Sequence, residues 1–272
     1  MAGIKESLKK YKIIKKIIII RDRIRVKNAC DKSRKYIKIE KMGKMHNAAI
    51  GKRCFVIGNG PSLTLDDINM LKNEDCFACN SIYKLFSKTE WRPKYYVSQD
   101  IKVLDDLRDD FDYITRECEN VFLNTYVCEK YPGVCDEENV YPIFVDTFDD
   151  DIHFPQFSDD IAKCVSEGYT VTYSCIQMAV YMGYSEIYIL GCDHNYSATF
   201  RLDGSIKKDS EVNQNYMTLI DHKLINLPRL DKTTLAYQRA RIECEKRGVK
   251  IFNSTRGGKL EVFERKEFDS LF

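Results

Sequence analysis

The chain contains little of what builds a disordered, repetitive or fibrous protein. Its 272 residues include only 6 prolines and 13 glycines, and no segment repeats at the period of a solenoid. Hydrophobic residues make up 44% of the chain and charged residues 31%. A chain of this length and composition can bury a sizeable core, which predicts a compact globular enzyme.

Long apolar runs are missing from the N-terminal segment, although it is rich in isoleucine. Residues 4–26 place apolar side chains at helical spacing among lysines and arginines, which predicts a basic amphipathic helix. The apolar positions are Ile4, Leu8, Tyr11, Ile14, Ile17 and Ile18. The longest apolar run, Ile17–Ile20, is four residues. Because a helix needs about 20 such residues to cross a bilayer, this segment is expected not to span one.

Charge is divided unevenly along the chain. Residues 1–53 carry 18 lysines and arginines against 4 acidic residues, which leaves 25 against 37 for the remainder. The first part is therefore about +14 and the body about −12. We expect residues 1–27 either to contact an anionic membrane surface or to pack on the body or on a second subunit of a homo-oligomer. The acidic body argues against nucleic acid as a partner.

The eleven cysteines lack the context of a disulfide framework or a zinc site. No second pair stands at zinc spacing, and no cleavable secretory signal is expected. The cysteines are scattered through apparent core segments, so we predict reduced, mostly buried thiols in a cytoplasmic protein, at most peripheral to the inner face of the membrane. The closest pair, Cys76 and Cys79, lies inside an apolar run, which favours core packing over metal binding.

From Arg53 onward, short β-rich runs alternate with helical ones. Strands are predicted at 54–57, 75–79, 94–98, 121–123, 140–143, 186–190 and 250–252. Helices are predicted at 65–71, 101–118, 171–182 and 233–247. The pattern predicts an α/β fold with a doubly wound, mostly parallel sheet, which binds ligands beyond the carboxyl ends of its strands.

Two parts are expected along the chain, a helical segment at 1–50 and one nucleotide-binding domain at 51–272. Within the second part, residues 197–231 hold no strong strand and carry polar, aromatic and basic groups. That composition suits a lid over the site, and it equally suits a surface excursion without a role.

The sequence has neither the Gly-Lys-Ser/Thr ending of a Walker loop nor the Gly-x-Gly-x-x-Gly dinucleotide fingerprint. Instead, an apolar strand runs into GNGPSL at residues 58–63 and then into a helix. Gly58 and Gly60 allow a tight turn and a close ligand approach, Pro61 suits the first helical position and Ser62 offers a hydroxyl. Exposed N–H groups there favour a phosphate, although such junctions also use these residues structurally.

Polar side chains follow three more of the predicted strands. They are Asn80, then Gln99 and Asp100, and then Asp193, His194 and Tyr196. Because the carboxyl ends of parallel strands meet at one edge, these side chains are expected around one crevice. Taken singly, the first three residues are more typical of turns and helix caps. The last cluster is costly to bury without partners, which favours a functional role.

Three of these motifs together resemble a known family. GNGPSL, Cys-Asn-x-x-Tyr from Cys79, and Gly-Tyr-x-Glu-Ile-Tyr-x-x-Gly-x-Asp from Gly183 are similar, in this order, to the bacterial sialyltransferases of glycosyltransferase family 42. They are also similar to the broader MptE-like group, which includes flagellar motility accessory factors and pterin diphosphokinases. The resemblance covers about residues 52–253. It implies a Rossmann-like fold of the GT-A-variant type and an inverting reaction without an obligatory metal.

The resemblance also implies roles for individual residues. Those implied in binding nucleotide or sugar are Asn59, Gly60, Ser62, Asn80, either Gln99 or Asp100, Thr170, Thr172 and Tyr196. The positions of Gly58, Pro61 and Asp193 beside the same strand ends add them to the predicted binding residues. The family's catalytic histidine is not matched, because Lys232 stands near that position. Of the histidines at 46, 153, 194 and 222, His194 and His222 lie in the right regions to serve as the general base.

The leading hypothesis is a glycosyltransferase of bacterial surface-glycan assembly, for capsule or lipopolysaccharide. It would transfer a sugar such as sialic acid or another nonulosonate from a nucleotide donor, CMP-linked by preference, to a glycan acceptor, with no cofactor required. An alternative is diphosphate transfer from ATP to a pterin, which would need Mg²⁺ and give a role to Asp149, Asp150 and Asp151, otherwise expected on a solvated surface. A third is a catalytically silent nucleotide- or glycan-binding protein.

Overall fold

The computed structural model describes residues 2–148, 155–196, 198–200, 205–208 and 228–272. The helices in these residues are α1 (Ala2–Ser33), α2 (Ile39–Gly43), α3 (Leu65–Met70), α4 (Ile101–Asp106), α5 (Phe111–Glu117), α6 (Tyr126–Lys130), α7 (Val171–Tyr181) and α8 (Leu230–Lys246). None of them, among the described residues, is long and apolar enough to cross a membrane. The helix predicted at residues 4–26 is present as α1, and it continues to Ser33.

The strands form one large sheet and two small ones. They are β1 (Arg53–Ile57), β2 (Cys76–Cys79), β3 (Tyr95–Ser98), β4 (Asn120–Asn124), β5 (Val140–Ile143), β6 (Val145–Asp146), β7 (Val165–Ser166), β8 (Glu186–Leu190), β9 (Ala198–Phe200), β10 (Ile206–Lys208), β11 (Lys250–Asn253) and β12 (Glu264–Arg265). The large sheet has eight strands in the order β12-β11-β8-β1-β2-β3-β4-β5. All neighbouring pairs in it are parallel, which confirms the predicted doubly wound α/β fold.

Successive residues of each central strand pack alternately into two core layers, one on each face of the sheet. In β1, Cys54 and Val56 pack in the layer that contains α7 and α8, whereas Phe55 and Ile57 pack in the layer beneath α3, α4 and α5. Because both faces of β1 are covered, its sequence is a continuous apolar run. The first layer also includes Ile37, which belongs to the N-terminal segment.

Two sequence predictions about elements need correction. The single helix expected at 101–118 is divided into α4 and α5 by a 3-10 turn at Arg108–Asp110. At this break the hydroxyl of Tyr83 donates to the carboxylate of Asp110 at 2.5 Å, which anchors the turn to the chain after β2. The short strands β6, β7, β9, β10 and β12 were not predicted, because two or three residues are too few to show an alternating pattern. Two of them, β9 and β10, lie in the segment 197–231 that was expected to hold no strong strand.

One pair of cysteines is oxidised, contrary to the prediction of reduced thiols throughout. Cys128 and Cys135 form a disulfide with a Cα–Cα distance of 5.5 Å. Gly133, at φ +99°, lets the chain after α6 fold back and bring the two residues together. The other nine cysteines are free, and six of them are buried. Cys76 and Cys79 are both free and buried, which confirms that this close pair is core packing.

Candidate functional site

The strand order places a switch point between β1 and β8. From β1 the chain proceeds through β2, β3, β4 and β5 towards one edge, whereas β8, β11 and β12 extend towards the other. The loops that follow β1 and β8 are joined by backbone hydrogen bonds, from Gly58 N–H to Leu190 O and from Gly60 N–H to Gly191 O, each 2.8 Å. The crevice expected in such sheets therefore lies where these two loops meet.

Gly58 and Gly60 are required by the contact between the two loops. A Cβ atom on Gly58 would lie 2.7 Å from Cys192 Sγ, and one on Gly60 would lie 2.6 Å from Gly191 O and overlap the carboxylate of Asp193. Neither position can accept a side chain without movement of the backbone. The sequence suggested glycine for ligand approach, and the structure adds that these glycines let the two loops pack.

Ser62 and Asp193 form a polar pair at the mouth of the crevice. The Ser62 hydroxyl donates to Asp193 Oδ2 at 2.9 Å, and the Ser62 N–H donates to the same oxygen at 3.4 Å. Burial raises the pKa of Asp193, and the hydrogen bonds from Ser62 only partly oppose this shift. Together with Pro61 and Asn195, the pair lines a pocket of about 230 Å³.

Asn59 carries a buried acceptor without a partner among the described residues. Its amide nitrogen donates to Cys79 O at 3.0 Å, which ties the loop after β1 to the end of β2. Its Oδ1 atom is buried and receives no hydrogen bond. A buried acceptor in this state costs about 1–3 kcal/mol, and a donor group on a bound ligand would satisfy it.

Asn80 adopts a left-handed backbone, with φ +51°. Its side-chain oxygen accepts a hydrogen bond from the Ser98 hydroxyl at 3.0 Å, and its carbonyl accepts one from the Tyr96 hydroxyl at 2.6 Å. These bonds from β3 fix the residue at the carboxyl end of β2. A non-glycine residue with positive φ next to a crevice is the kind of strained position that often marks a functional site.

His194 also adopts a left-handed backbone, at φ +50°, and its ring is held by α8. Its Nε2 atom lies 2.9 Å from Thr234 Oγ1, while the Thr234 hydroxyl donates to Leu230 O at 2.7 Å. Because that hydroxyl has its proton on Leu230, its oxygen must accept from His194 Nε2–H, which assigns the tautomer and leaves Nδ1 as the basic nitrogen. Burial lowers the pKa of His194 below its ordinary value of 6.5, so the imidazole is neutral at pH 7.

Tyr237 is a site residue that the sequence did not indicate. Its ring lies 5.8 Å from that of His194, and its side chain is buried. Burial raises the pKa of the Tyr237 hydroxyl well above its usual range, and the neighbouring side chains of Thr170 and Thr172 oppose this shift. On α8 the residue shows only the spacing of a core position, so nothing in the sequence distinguished it from its apolar neighbours.

Two helices point their N-termini at the crevice. Thr172 of α7 lies 3.7 Å from Cys192, measured from Oγ1 to Sγ, and Thr234 of α8 contacts His194. The side chain of Thr170, the N-cap residue of α7, accepts no hydrogen bond from the helix, so the first N–H groups of α7 have no side-chain cap. Helix N-termini carry partial positive charge and favour phosphate groups.

The family follows from a comparison with known sequence families. The model described as 6-hydroxymethylpterin diphosphokinase MptE-like matches residues 27–199. The chain belongs to the MptE-like family. No protein of curated function matches this MptE-like chain.

Solved structures are similar to this MptE-like protein. The MAf glycosyltransferase from Magnetospirillum magneticum AMB-1 matches with a TM-score of 0.54 at 16% identity, over 84% of this chain and 35% of that protein. The sialyltransferase CstII from Campylobacter jejuni, in complex with cytidine-5'-monophosphate, matches with a TM-score of 0.43 at 15% identity, over 79% of this chain and 85% of that one. The chain thus spans about a third of the MAf glycosyltransferase. At 16% identity, the similarity to the MAf glycosyltransferase shows the fold alone.

Gln99 and Asp100 of the MptE-like chain are engaged in its framework. Gln99 is 6% exposed, donates to Glu167 O at 3.2 Å and accepts a hydrogen bond from the Ser174 hydroxyl. Asp100 is the N-cap of α4 and accepts from the N–H groups of Lys102 and Val103. Both therefore hold elements in place at the crevice edge, and their contact with a ligand stays a prediction.

The remaining predicted residues lie in different places. Tyr196 is 37% exposed. It raises the pKa of Tyr237 and therefore lies near that residue, beside the crevice. Lys232 is 8% exposed in the first turn of α8. His46 is exposed and packs on Tyr181 at the far end of α7, away from the site. The segments that contain Asp149, Asp150, Asp151, His153, His222 and most of the predicted lid lie outside the described residues.

The site offers a carboxylate to a metal ion. Among the residues that the structure describes, no group of three or more His, Cys, Asp or Glu side chains could hold a metal ion. The carboxylate of Asp193 is one oxygen ligand at the pocket. Mg²⁺ is often held by one or two carboxylates together with substrate phosphates, so Asp193 fits a magnesium ion that arrives with a nucleotide.

Proposed function

We propose that this protein is a glycosyltransferase that uses a nucleotide sugar and takes His194 as its general base. The observation that carries the proposal is the state of His194. It stands at the switch point as a neutral imidazole, and Thr234 fixes its Nε2–H so that Nδ1 is the nitrogen able to take a proton. A general base of lowered pKa beside a nucleotide-type loop suits the removal of a proton from an acceptor hydroxyl.

In the proposed reaction, an acceptor hydroxyl attacks the anomeric carbon of the donor. The hydroxyl proton goes to His194 Nδ1, the new carbon–oxygen bond forms, and the bond from the anomeric carbon to the phosphate oxygen breaks. The electron pair of that bond leaves with the nucleotide. The N-termini of α7 and α8 and the N–H groups of the loop after β1 would stabilise the charge on the departing phosphate.

The donor proposed is a CMP-linked nonulosonate such as sialic acid, and the acceptor a bacterial surface glycan. This choice depends on the resemblance of the GNGPSL, Cys-Asn-x-x-Tyr and Gly-x-Asp motifs to the family 42 sialyltransferases. Asn59 adds a structural argument, because its buried Oδ1 needs a donor that a ribose hydroxyl or a base amine supplies. The pocket beside Ser62 and Asp193 would receive part of the donor.

A thermal unfolding series with CMP, CDP, UDP, GDP and ATP, each with and without Mg²⁺, tests this proposal. A ligand that binds only the folded chain raises the melting temperature by mass action. Stabilisation by CMP without metal, followed by turnover of a CMP-linked donor in the presence of a chelator, is the expected result. Binding of CMP without turnover of any donor would indicate a silent binding protein instead.

The family match supports a second candidate, transfer of diphosphate from ATP to a pterin. The description of the matching family names that activity. In addition, Asp193 could hold Mg²⁺ that arrives with the phosphates of ATP. This candidate predicts stabilisation by ATP only when Mg²⁺ is present, and loss of that effect in Asp193→Asn. Stabilisation by CMP alone, unaffected by chelator, would exclude it.

A further inference from the structure

The last third of α1 packs on the body of the protein. Val26 and Cys30 contact the core layer of α7 and α8, and Cys30 Sγ lies 3.4 Å from Lys163 O. The Arg23 guanidinium stacks over the Phe148 ring at 5.0 Å. A helix of 32 residues is about 48 Å long, so a considerable length of α1 precedes these contacts.

Four isoleucines line the side of α1 that faces away from the body. Ile13, Ile17, Ile20 and Ile24 follow one another at intervals of four, three and four residues, which places them on one face of the helix. Their exposed fractions are 58%, 60%, 57% and 54%. We call these four residues the outer stripe. So large an exposed row of isoleucines marks an interaction surface.

Basic residues surround the outer stripe. From Tyr11 to Lys27 the helix carries seven lysines and arginines and one acidic residue, Asp22. The exposed Lys16 and Arg21 flank the stripe on its two sides. The one carboxylate lies 3.5 Å from Arg21 and 3.9 Å from Arg25 within the same helix. The partner of this surface must therefore combine an apolar interior with negative charge.

A second copy of α1 is a poor partner on electrostatic grounds. If two outer stripes packed together as in a coiled coil, Lys16, Arg21 and Arg23 would occupy the positions beside the seam. Each copy would then bring like charges against the other, and such pairs destabilise a helical interface. An anionic bilayer has the opposite property, because its headgroups attract the basic residues while its acyl region takes up isoleucine.

We infer that α1 lies flat on an anionic phospholipid surface, with the outer stripe inserted at the boundary between headgroups and acyl chains. The body of the protein would then lie on the side of α1 that faces away from the bilayer, attached through the contacts of Val26 and Cys30. This inference does not depend on the proposed function, since it uses only the exposure and charge of α1.

Co-sedimentation of the full chain with lipid vesicles tests the inference. Vesicles of phosphatidylcholine alone are compared with vesicles of equal parts phosphatidylcholine and phosphatidylglycerol, at low and at high salt. The chain is expected to bind the second kind only, and to dissociate at high salt because the charges are then screened. Equal binding to both kinds, or binding to neither, would overturn the inference.

Two variants and a matched control locate the surface. Ile17→Gln combined with Ile20→Gln should weaken binding to the anionic vesicles by about tenfold or more, because these two side chains no longer bring apolar area into the bilayer. Lys16→Gln combined with Arg21→Gln should weaken it about fivefold for each charge removed. Ile50→Gln removes an isoleucine that is 71% exposed outside α1, and it should leave binding unchanged.

Light scattering separates the bilayer from a second copy as the occupant. The chain should have the same mass with and without the Ile17→Gln and Ile20→Gln changes. A concentration-dependent dimer that these two changes abolish would assign the outer stripe to self-association and overturn the inference.

Discussion

His194 has two properties that suit a general base, a defined tautomer and an imidazole that is neutral at pH 7. Thr234 fixes the tautomer by accepting from Nε2–H, and burial of the ring lowers the pKa. Both arise from packing between the loop after β8 and the first turn of α8. The sequence contains both residues but separates them by 40 positions.

The first prediction concerns His194 itself. His194→Ala should reduce kcat about 100-fold or more, because no group then removes the acceptor proton, while nucleotide affinity changes little. In the wild type, the rate should fall as the pH drops through the lowered pKa, below 6.5, because the base becomes protonated. His46→Ala, at the far end of α7, is the matched control. If His194→Ala kept the wild-type rate, the base would have to be sought elsewhere, first at His222.

The second prediction concerns Thr234 as a positioning residue. Thr234→Val keeps the shape of the side chain but removes the oxygen that accepts from His194, so kcat should fall roughly tenfold through misorientation of the ring. The acid limb of the pH profile should also move to lower pH, because the imidazolium loses an acceptor. Thr234→Ser should restore both the rate and the profile. A variant with lowered rate and an unchanged profile would contradict the role.

At the scale of elements, the loops after β1 and β8 act as one unit. Their hydrogen bonds and the close approach of Gly60 to Asp193 leave no space between them. Gly60→Ala should therefore destabilise the fold by about 1–3 kcal/mol and weaken nucleotide binding. Gly43→Ala, where an added Cβ meets nothing within 4 Å, is the control and should be neutral. Denaturant unfolding of both variants measures the difference; equal stabilities would mean that the loops can separate.

The disulfide fixes a second local unit, α6 and the turn that follows it. Cys128 and Cys135 close a short loop, seven residues apart in sequence. By loop-closure entropy, reduction should lower the free energy of unfolding by about 2 kcal/mol. Urea unfolding with and without a reductant measures this effect. The Cys128→Ser and Cys135→Ser double variant should be insensitive to the reductant, and a shift in it would trace the effect to other thiols.

At the scale of the whole molecule, stability should depend on pH through Asp193. Burial raises the pKa of this carboxyl in the folded chain above 3.8, so the folded state binds its proton more tightly than the unfolded state does. Its contribution to stability is therefore favourable at low pH and is lost as the pH rises through the raised pKa. Asp193→Asn should raise the melting temperature at pH 7, and the difference should vanish below pH 3.8. A lower melting temperature at pH 7 would contradict this reasoning.

Local sequence determined much of this fold. The predicted strands at 140–143 and 186–190 coincide with β5 and β8, four others differ from the observed strands by one residue at one end, and 121–123 is one residue shorter than β4 at each end. Each buried strand is a continuous apolar run between turn residues, and each helix carries its own periodicity, so these signals need no knowledge of distant residues. The order of the motifs likewise identified the family.

What only the tertiary structure decided is which distant residues meet. Thr234 and Tyr237 join His194 because α8 packs on α7, and nothing local in α8 records that contact. The disulfide and the outer stripe likewise depend on tertiary structure. The chain folds back at Gly133 and brings two cysteines together, and the body covers the side of α1 opposite the outer stripe. Strands and helices follow from short-range periodicity, whereas a site and a surface depend on the arrangement of elements, and this depends on the packing of the whole core.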